Sequence, residues 1–386
     1  MRDAFQQMRL GILGGGQLGK MLLMPAHQWA LTVSVLDPTP DCPAAHLATH
    51  FVKGDFDDYH DVYFFGNKLD LLTIEIEAVN VEALDDLQSR GVIVRPSPSI
   101  IALVQDKYRQ RQLLHERGFP VPRFALFEGS ASSLHHFIQR NNLSLPCIAK
   151  FPRGGYDGRG VFVLSESSQI DEVPLLLEER IDIHMEISVL VGRNASGQIA
   201  VYDPVEMVFD ADSHMLDYLI APAHVSGDLR NELVECAVEI ARSVGLEGMM
   251  AVEFFVDKSG KIYVNELAPR PHNSGHHTIE GAVCSQFEQH WRMVLDLPPG
   301  DTTLRSPYVA TANVVGPSAF TGPPQYRGWK EVLAHPNVHL HIYGKARSKP
   351  YRKMGHMTVL GASREEIAEK ITRIRSQFHI EKMHIQ

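Results

Sequence analysis

The chain has 386 residues, 44% hydrophobic and 22% charged, the balance of a soluble globular protein with room for two or three domains. A net charge of −9, with no Lys/Arg run, gives no electrostatic case for a nucleic-acid partner or an anionic membrane surface. The four cysteines, Cys42, Cys147, Cys236 and Cys284, form no Cys-x-x-Cys pair, which argues against a zinc ribbon or disulfide framework and for reduced thiols in the cytoplasm. No apolar run reaches the length of a membrane span. Met1–Met8 is short and polar, and is expected to be a disordered extension before the first strand.

Met8 to Leu13 is an apolar strand that enters Gly14-Gly15-Gly16-Gln17-Leu18-Gly19 and then a helix from Lys20 to about Ala30. A second strand, Leu31 to Leu36, ends at Asp37, so the chain opens as a Rossmann-like unit. The glycine spacing satisfies Gly-x-Gly-x-x-Gly, a weak motif that suggests dinucleotide binding when taken alone. It supports a tight turn at a helix N-terminus whose free N–H groups favour an anion such as phosphate. Leu69 to Ile76 is a further strand, with Glu75 and Glu77 two apart and expected on one face at the ligand-binding edge of a parallel sheet. Pro96-Ser97-Pro98 caps a helix, Lys107 to Glu116 is helical, and Gly118 to Pro122 breaks the chain.

The run Cys147 to Lys150 is a strand delivering a lysine. It precedes Gly154-Gly155-Tyr156-Asp157-Gly158-Arg159-Gly160, a loop flexible enough to close over a polyphosphate. No Gly-Lys-Ser/Thr opens a helix, so this is not a Walker A loop. Leu175 to Ile181 is an apolar strand ending in Glu178-Glu179-Arg180, a segment that can serve as a nucleotide hinge. Glu186 lies on the next strand, which turns at Asn194–Gly197 into a strand from Ile199 to Val205. Asp228 to Val244 is an amphipathic helix.

Two strand-like runs, Met250–Val256 and Ile262–Ala268, flank the turn Asp257-Lys258-Ser259-Gly260. An antiparallel hairpin would bring Glu253 and Glu266 together, with Asn265 beside them, as an oxygen-rich pocket suited to Mg²⁺ carrying nucleotide phosphates. The following loop is rigid and rich in donors, with Pro269 and Pro271 flanking Arg270 and His272, Asn273, His276 and His277 behind. Gln286 to Val294 is helical. The tail holds a basic hairpin with Lys345, Arg347, Arg352 and Lys353, suited to a phosphate monoester, then a helix from about Ser363 to Phe378.

With these pieces in order the chain resembles the ATP-grasp superfamily and, within it, the N5-carboxyaminoimidazole ribonucleotide synthetases of de novo purine (IMP) synthesis. The pieces that carry the resemblance are the motifs at 14–19, 154–160, 265–276 and 352–356, and it runs from Leu10 almost to the C-terminus. It implies a mixed α/β and α+β architecture: an N-terminal Rossmann-like, pre-ATP-grasp domain over 1–110, a small lid over 111–180, and a C-terminal antiparallel α+β domain over 181–386 that absorbs the 300–386 tail. It also implies a cytoplasmic ligase, dimeric as a homodimer, that uses Mg²⁺, ATP, bicarbonate and 5-aminoimidazole ribonucleotide, with carboxyphosphate as intermediate.

Carried over by position, Lys107, Lys150, the 155–160 loop (Gly155, Tyr156, Asp157, Gly158, Arg159, Gly160) and Asn265 would contact ATP. Glu178, Glu179, Arg180 and Ile181 would form the adenine hinge, and Glu186 would hold the ribose. Glu253 and Glu266 would bind Mg²⁺. Gln17, Leu18, Glu75, Tyr156, Asp157 and Arg159 would line the ribonucleotide site, with Lys345 and Arg352 on its 5′-phosphate. Arg270, His272 and Asn273 would hold bicarbonate or carboxyphosphate, Arg270 neutralising charge and His272 accepting a proton. The chain departs from the family pattern at Ile76 and Ala78, at Glu206-Met207-Val208-Phe209, at Lys107, and in a basic hairpin one residue longer. The alternatives are another ATP-grasp ligase such as a formate-dependent glycinamide ribonucleotide transformylase, an NAD-dependent oxidoreductase, or a non-catalytic nucleotide sensor.

Overall fold

The structure, a computed structural model, describes residues 3–154, 160–166, 174–209 and 216–382. Its first sheet has five parallel strands, Arg9–Leu13, Thr32–Asp37, His50–Lys53, Leu71–Ile74 and Ile93–Val94, in the spatial order third, second, first, fourth, fifth. Leu10, Ile12, Val33, Val35, Leu71 and Leu72 are almost fully buried, as expected where helices cover both faces of a parallel sheet. Among those helices are Gln17–Gln28, Tyr59–Gly66 and Val81–Ser89. Asp58 and Asn80 cap the last two by accepting from Asp61 N–H and Ala83 N–H. Parallel pairing sends every strand's C-terminal end to one edge, which gathers the glycine turn, Asp37 and Glu75.

A second sheet pairs Phe124–Phe127, Leu175–Glu178, Cys147–Lys150 and Val161–Leu164 antiparallel in that spatial order. Cys147–Lys150 and Leu175–Glu178 pair with Ile148 opposite Glu178 and Lys150 opposite Leu176, so Lys150 and Glu178 are diagonal neighbours on one face. The largest sheet holds nine strands among the described residues, with Gly248–Asp257 between Ile183–Arg193 and Ile262–Ala268. One face of these strands, including Ile187, Val189, Val252 and Phe254, packs under the helix Gly227–Ser243. The opposite face carries Glu186 and Glu253 into a cleft. Strands Tyr308–Val315, Lys353–Gly361 and Val338–Ile342 extend the same sheet. Ile367, Ile371 and Ile374 of helix Arg364–Gln377 cover one side of that extension at helical spacing.

The mixed parallel and antiparallel architecture meets the expected fold class, with two local corrections. From residue 3 the N-terminal segment is not a disordered extension: Ala4–Gln7 forms a 3-10 turn, and Phe5 and Met8 pack on the first core because the turn gives them apolar neighbours, whereas residues 1 and 2 lie outside the described residues. Ile199–Val205 is not one strand. Ile199–Val201 and Val205–Phe209 are separate, and between them the buried Tyr202 hydroxyl donates to Cys284 O at 2.9 Å. Among the described residues no helix is long and apolar enough to cross a membrane.

Trp291 joins the first sheet's layer to the largest sheet. It is fully buried, packs with residues of helix Gln17–Gln28, and donates its indole N–H to Leu22 O at 2.7 Å. Nearby, His290 Nε2 lies 2.8 Å from Thr73 Oγ1 across the same junction. Trp291→Ala should lower stability by about 3–5 kcal/mol in urea denaturation; a change below about 1 kcal/mol would show that this junction contributes little to cohesion.

Candidate active site

The hairpin places Glu253 directly opposite Glu266, and the register shifts immediately afterwards so that Phe254 faces Val264. Asn265 is therefore the extra residue of a β-bulge, and Glu253, Asn265 and Glu266 all line one cleft. Arg111, 3% exposed, sits behind this bulge. It donates to Val264 O and, at 3.0 Å, to Asn265 O, and it pairs with Glu178 at 2.7 Å. Lys150 Nζ lies 2.8 Å from the other Glu178 oxygen and donates to Asn265 Oδ1 at 3.3 Å. Burial alone would raise the Glu178 carboxyl, but Arg111 and Lys150 outweigh it and hold the group below its ordinary value.

Glu178 thus enters the site already ionised and engaged, with its side chain 3% exposed. Its neighbour Glu179 pairs with Arg123 at 2.7 Å. Arg180, Ile181, Glu186 and Lys107 line the cleft, and Lys107 opens the helix Lys107–Glu116, which Asp106 caps. Gly160 N-terminally borders the strand Val161–Leu164, and its carbonyl accepts from Phe151 N–H at 2.9 Å. The expected contacts of Gly155, Tyr156, Asp157, Gly158 and Arg159 lie outside the described residues.

Burial, then Glu266 and then Glu186, push the Glu253 carboxyl up to about 8, only partly offset by Arg270 and Lys353. Such crowding fits a cation-binding pair, because a divalent ion would remove the repulsion. Among the described residues no three His, Cys, Asp or Glu side chains converge on a metal, so phosphate oxygens would complete any shell held by Glu253 and Glu266.

Arg270 Nε lies 2.7 Å from Glu77 Oε2, tying the loop that carries Arg270 to the first sheet's edge. Burial holds His272 well below its ordinary value, with Arg270 and Lys353 adding to the effect, so the ring is neutral. Ser274 N–H donates to His272 Nδ1 at 3.3 Å, which leaves the ring proton on Nε2, 3.6 Å from Glu253 Oε1. As placed, His272 presents a donor to the cleft, in contrast to the proton acceptor expected from sequence. Asn273 lines the same wall, and its buried Oδ1 has no hydrogen-bond partner among the described residues.

The glycine turn is the main departure. Gly15 N–H donates to Asp37 Oδ2 at 2.7 Å, and Gly16 and Gly19 N–H donate to Glu75 at 2.8 and 3.0 Å. Three of the turn's donors are thus taken by the protein's own carboxylates rather than left for a phosphate, which weakens the dinucleotide reading. Gly14 has φ +94°, and a Cβ there would also lie 2.6 Å from Glu75. Glu75 and Glu77 follow the end of strand Leu71–Ile74 and diverge, one to the turn and the other to Arg270.

Gln17, Leu18 and Glu75 line the same cleft as Lys345 and Arg352 of the basic loop. In that loop Lys345 Nζ donates to Lys353 O at 2.7 Å and Arg352 donates to Arg347 O at 2.7 Å. At the 206–209 departure, Glu206 turns away to Arg364 at 2.9 Å, whereas Met207 and Phe209 form an apolar wall of the cleft. The whole cleft measures about 2460 Å³. Sequence reasoning missed Arg111, although it lies four residues after Lys107 and three before the buried Leu114, on the inward face of its helix.

A lysine and a carboxylate pair on neighbouring antiparallel sheets, beside a Rossmann-like layer, define an ATP-grasp enzyme. The chain matches the ATP-grasp domain over residues 112–287, the ribonucleotide synthetase preATP-grasp domain over 7–105 and the phosphoribosylaminoimidazole carboxylase C-terminal domain over 310–370. It is 34% identical over 378 residues to N5-carboxyaminoimidazole ribonucleotide synthase of Synechococcus elongatus, covering 95% of this chain and 94% of that protein. The crystal structure of N5-carboxyaminoimidazole ribonucleotide synthetase from Thermotoga maritima superposes with a TM-score of 0.89 at 35% identity, covering 98% of this chain and 100% of that one. The Aspergillus clavatus synthase in complex with ADP and 5-aminoimidazole ribonucleotide gives a TM-score of 0.86 at 29% identity, covering 96% and 98%. The chain belongs to the N5-carboxyaminoimidazole ribonucleotide synthetase family, whose members are ATP-dependent ligases of purine biosynthesis.

Replacing Arg111 with Met should cost about 3–5 kcal/mol at neutral pH, because Glu178 loses a buried partner. Glu178 is depressed in the folded state, so its contribution is complete above its unfolded value of about 4.3 and is lost as pH falls through the lower folded value. The difference between wild type and Arg111→Met, measured by urea denaturation, should therefore shrink in acid. A difference constant with pH would show that the guanidinium acts through the carbonyls of Val264 and Asn265 alone.

Proposed function

We propose that this chain carboxylates 5-aminoimidazole ribonucleotide to N5-carboxyaminoimidazole ribonucleotide, using ATP and bicarbonate, as a cytoplasmic homodimer. The observation that carries the reading is the convergence, in one cleft, of Lys150, Asn265 and Glu266 with Arg270, His272 and Asn273 and with Gln17, Glu75, Lys345 and Arg352. That cleft can hold a nucleotide, a small anion and a second phosphorylated molecule side by side.

Phosphoryl transfer from ATP to bicarbonate needs alignment and charge neutralisation more than a covalent nucleophile. Lys107, Lys150 and Asn265 bind the phosphates, Glu178 to Ile181 border the adenine, and Glu186 holds the ribose. Glu253 and Glu266 would hold Mg²⁺, which when bound neutralises phosphate charge. A bicarbonate oxygen bonds the γ-phosphorus as the bond to ADP breaks, giving carboxyphosphate. Its C–O bond to phosphate then breaks, the released phosphate keeps the electron pair, and the ribonucleotide's amine nitrogen bonds the carboxyl carbon. The amine proton passes to the departing phosphate.

Throughout, Arg270 and the Nε2–H of His272 face the developing oxyanions, and Asn273 orients the carboxyl group. Lys345 and Arg352 hold the ribonucleotide's 5′-phosphate, while Gln17, Leu18 and Glu75 border its sugar and base. The engaged state of Glu75, with two N–H donors on it, keeps it fixed as an acceptor for substrate hydroxyls.

ADP release should depend on both bicarbonate and 5-aminoimidazole ribonucleotide. Release only with formate and glycinamide ribonucleotide would instead identify a formyl-transferring relative. Glu266→Ala should lower kcat by about a hundredfold or more in a protein that melts normally, since charge neutralisation at phosphate supplies several kcal/mol. Unchanged turnover would sink the metal assignment. Lys345→Ala combined with Arg352→Ala should raise the ribonucleotide KM by roughly ten- to a hundredfold and leave the ATP KM nearly unchanged; parallel increases would remove the phosphate assignment.

A further inference from the structure

Arg270, His272 and Asn273 lie past the end of the strand Ile262–Ala268, on a loop that a side chain fourteen residues beyond His272 grips by its backbone. Gln286 is fully buried at the start of the helix Gln286–Val294. Its Oε1 accepts from His272 N–H at 3.0 Å and its Nε2 donates to His272 O at 2.6 Å. One amide group therefore satisfies both backbone polar groups of a single site residue, as a neighbouring strand would.

The clamp is itself held. Gln286 N–H donates to Thr278 Oγ1 at 2.9 Å, and that hydroxyl donates to Gly275 O at 2.6 Å. Gly275 has to lack a side chain, because a Cβ there would lie 2.3 Å from the Gln286 amide. On the other side of the loop, Ser274 Oγ is 2.8 Å from Ser188 Oγ and 2.9 Å from His272 Nδ1.

We infer that Gln286 is a positioning residue for the carboxyl-donor subsite: by gripping the His272 backbone it keeps Nδ1 on Ser274 and turns Nε2–H toward the bound anion. A neutral imidazole has one donor and one acceptor nitrogen, and the partner of one decides the role of the other. If the backbone of His272 shifts, Ser274 N–H no longer reaches Nδ1 and the ring loses its single tautomer. Gln286 touches no reactant in this scheme; it acts through His272. The inference rests on the function proposed above.

The test uses Gln286→Met, which removes both contacts, Gln286→Glu, which keeps the acceptor for His272 N–H, and Gly275→Ala, which pushes on the amide from the opposite side. ADP release is measured with bicarbonate varied at saturating ATP and with ATP varied at saturating bicarbonate. In parallel, ¹⁵N NMR of the ligand-free protein reads the His272 ring nitrogens, assigned by their loss in His272→Gln.

Gln286→Met and Gly275→Ala should raise the bicarbonate KM about tenfold or more while the ATP KM stays within about twofold, as expected for a misplaced site group. The His272 nitrogens should move from a pure Nε2–H pattern toward an averaged one, and Gln286→Glu should fall between. Parallel rises in both KM values, or an unchanged nitrogen pattern in a folded variant, would overturn the inference. If Gln286→Met and Gly275→Ala do not fold, Gln286→Glu decides by the same two readouts. If wild-type ADP release proves independent of bicarbonate, the functional reading fails, whereas the nitrogen pattern still decides the clamp.

Discussion

A single buried guanidinium, that of Arg111, joins the parts on which the site depends. It neutralises Glu178 at the end of one sheet and occupies the carbonyls of Val264 and Asn265 on another. The bulge at Asn265 takes backbone groups out of the ladder, and buried groups of that kind need other donors. Arg111 supplies them, and the bulge in turn lets Asn265 and Glu266 share the cleft with Glu253. Lys150 completes the arrangement by bridging Glu178 and Asn265. A lysine held this way has less rotamer freedom to lose when phosphate arrives.

The same economy appears at the first sheet's edge. A strand, a glycine turn and a helix make an anion-binding site in many folds, and here that capacity is directed inward, to Asp37 and Glu75. The geometry of a dinucleotide site thus becomes a mount for a carboxylate. Glu77, two residues on, reaches Arg270, so one strand end braces both the glycine turn and the arginine loop of the cleft. Together with Trp291 and the His290–Thr73 contact, this fastens the first sheet to the largest one beside the cleft.

Much of this was legible in the chain. Alternation across Met250–Val256 and Ile262–Ala268, with a four-residue turn between, marks a hairpin that brings Glu253 and Glu266 close together, although regular pairing from Val256 and Ile262 would set Glu253 against Asn265 and only the bulge puts it opposite Glu266. The Lys150 strand, the helix Lys107–Glu116 and the basic loop at 345–353 were likewise visible as local patterns. The occupants of the glycine turn were not, since Gly16 and Glu75 are 59 residues apart and meet only when parallel strands bring their ends together. Arg111 and Gln286 were hidden for a related reason: each bonds to backbone groups of distant residues, and main-chain partners leave no mark in a side-chain pattern.

By itself the sequence determined the periodicities, turns and charged positions, and through them the family and the mixed α/β and α+β architecture. Tertiary structure decided how those groups are used. It filled three of the turn's donors with carboxylates, inserted the bulge that aims Asn265, and turned His272 into a donor by placing Ser274 N–H on its Nδ1. The physical reason is that periodicity depends on near neighbours along the chain. The charge state, tautomer and orientation of a buried group depend instead on what surrounds it in space.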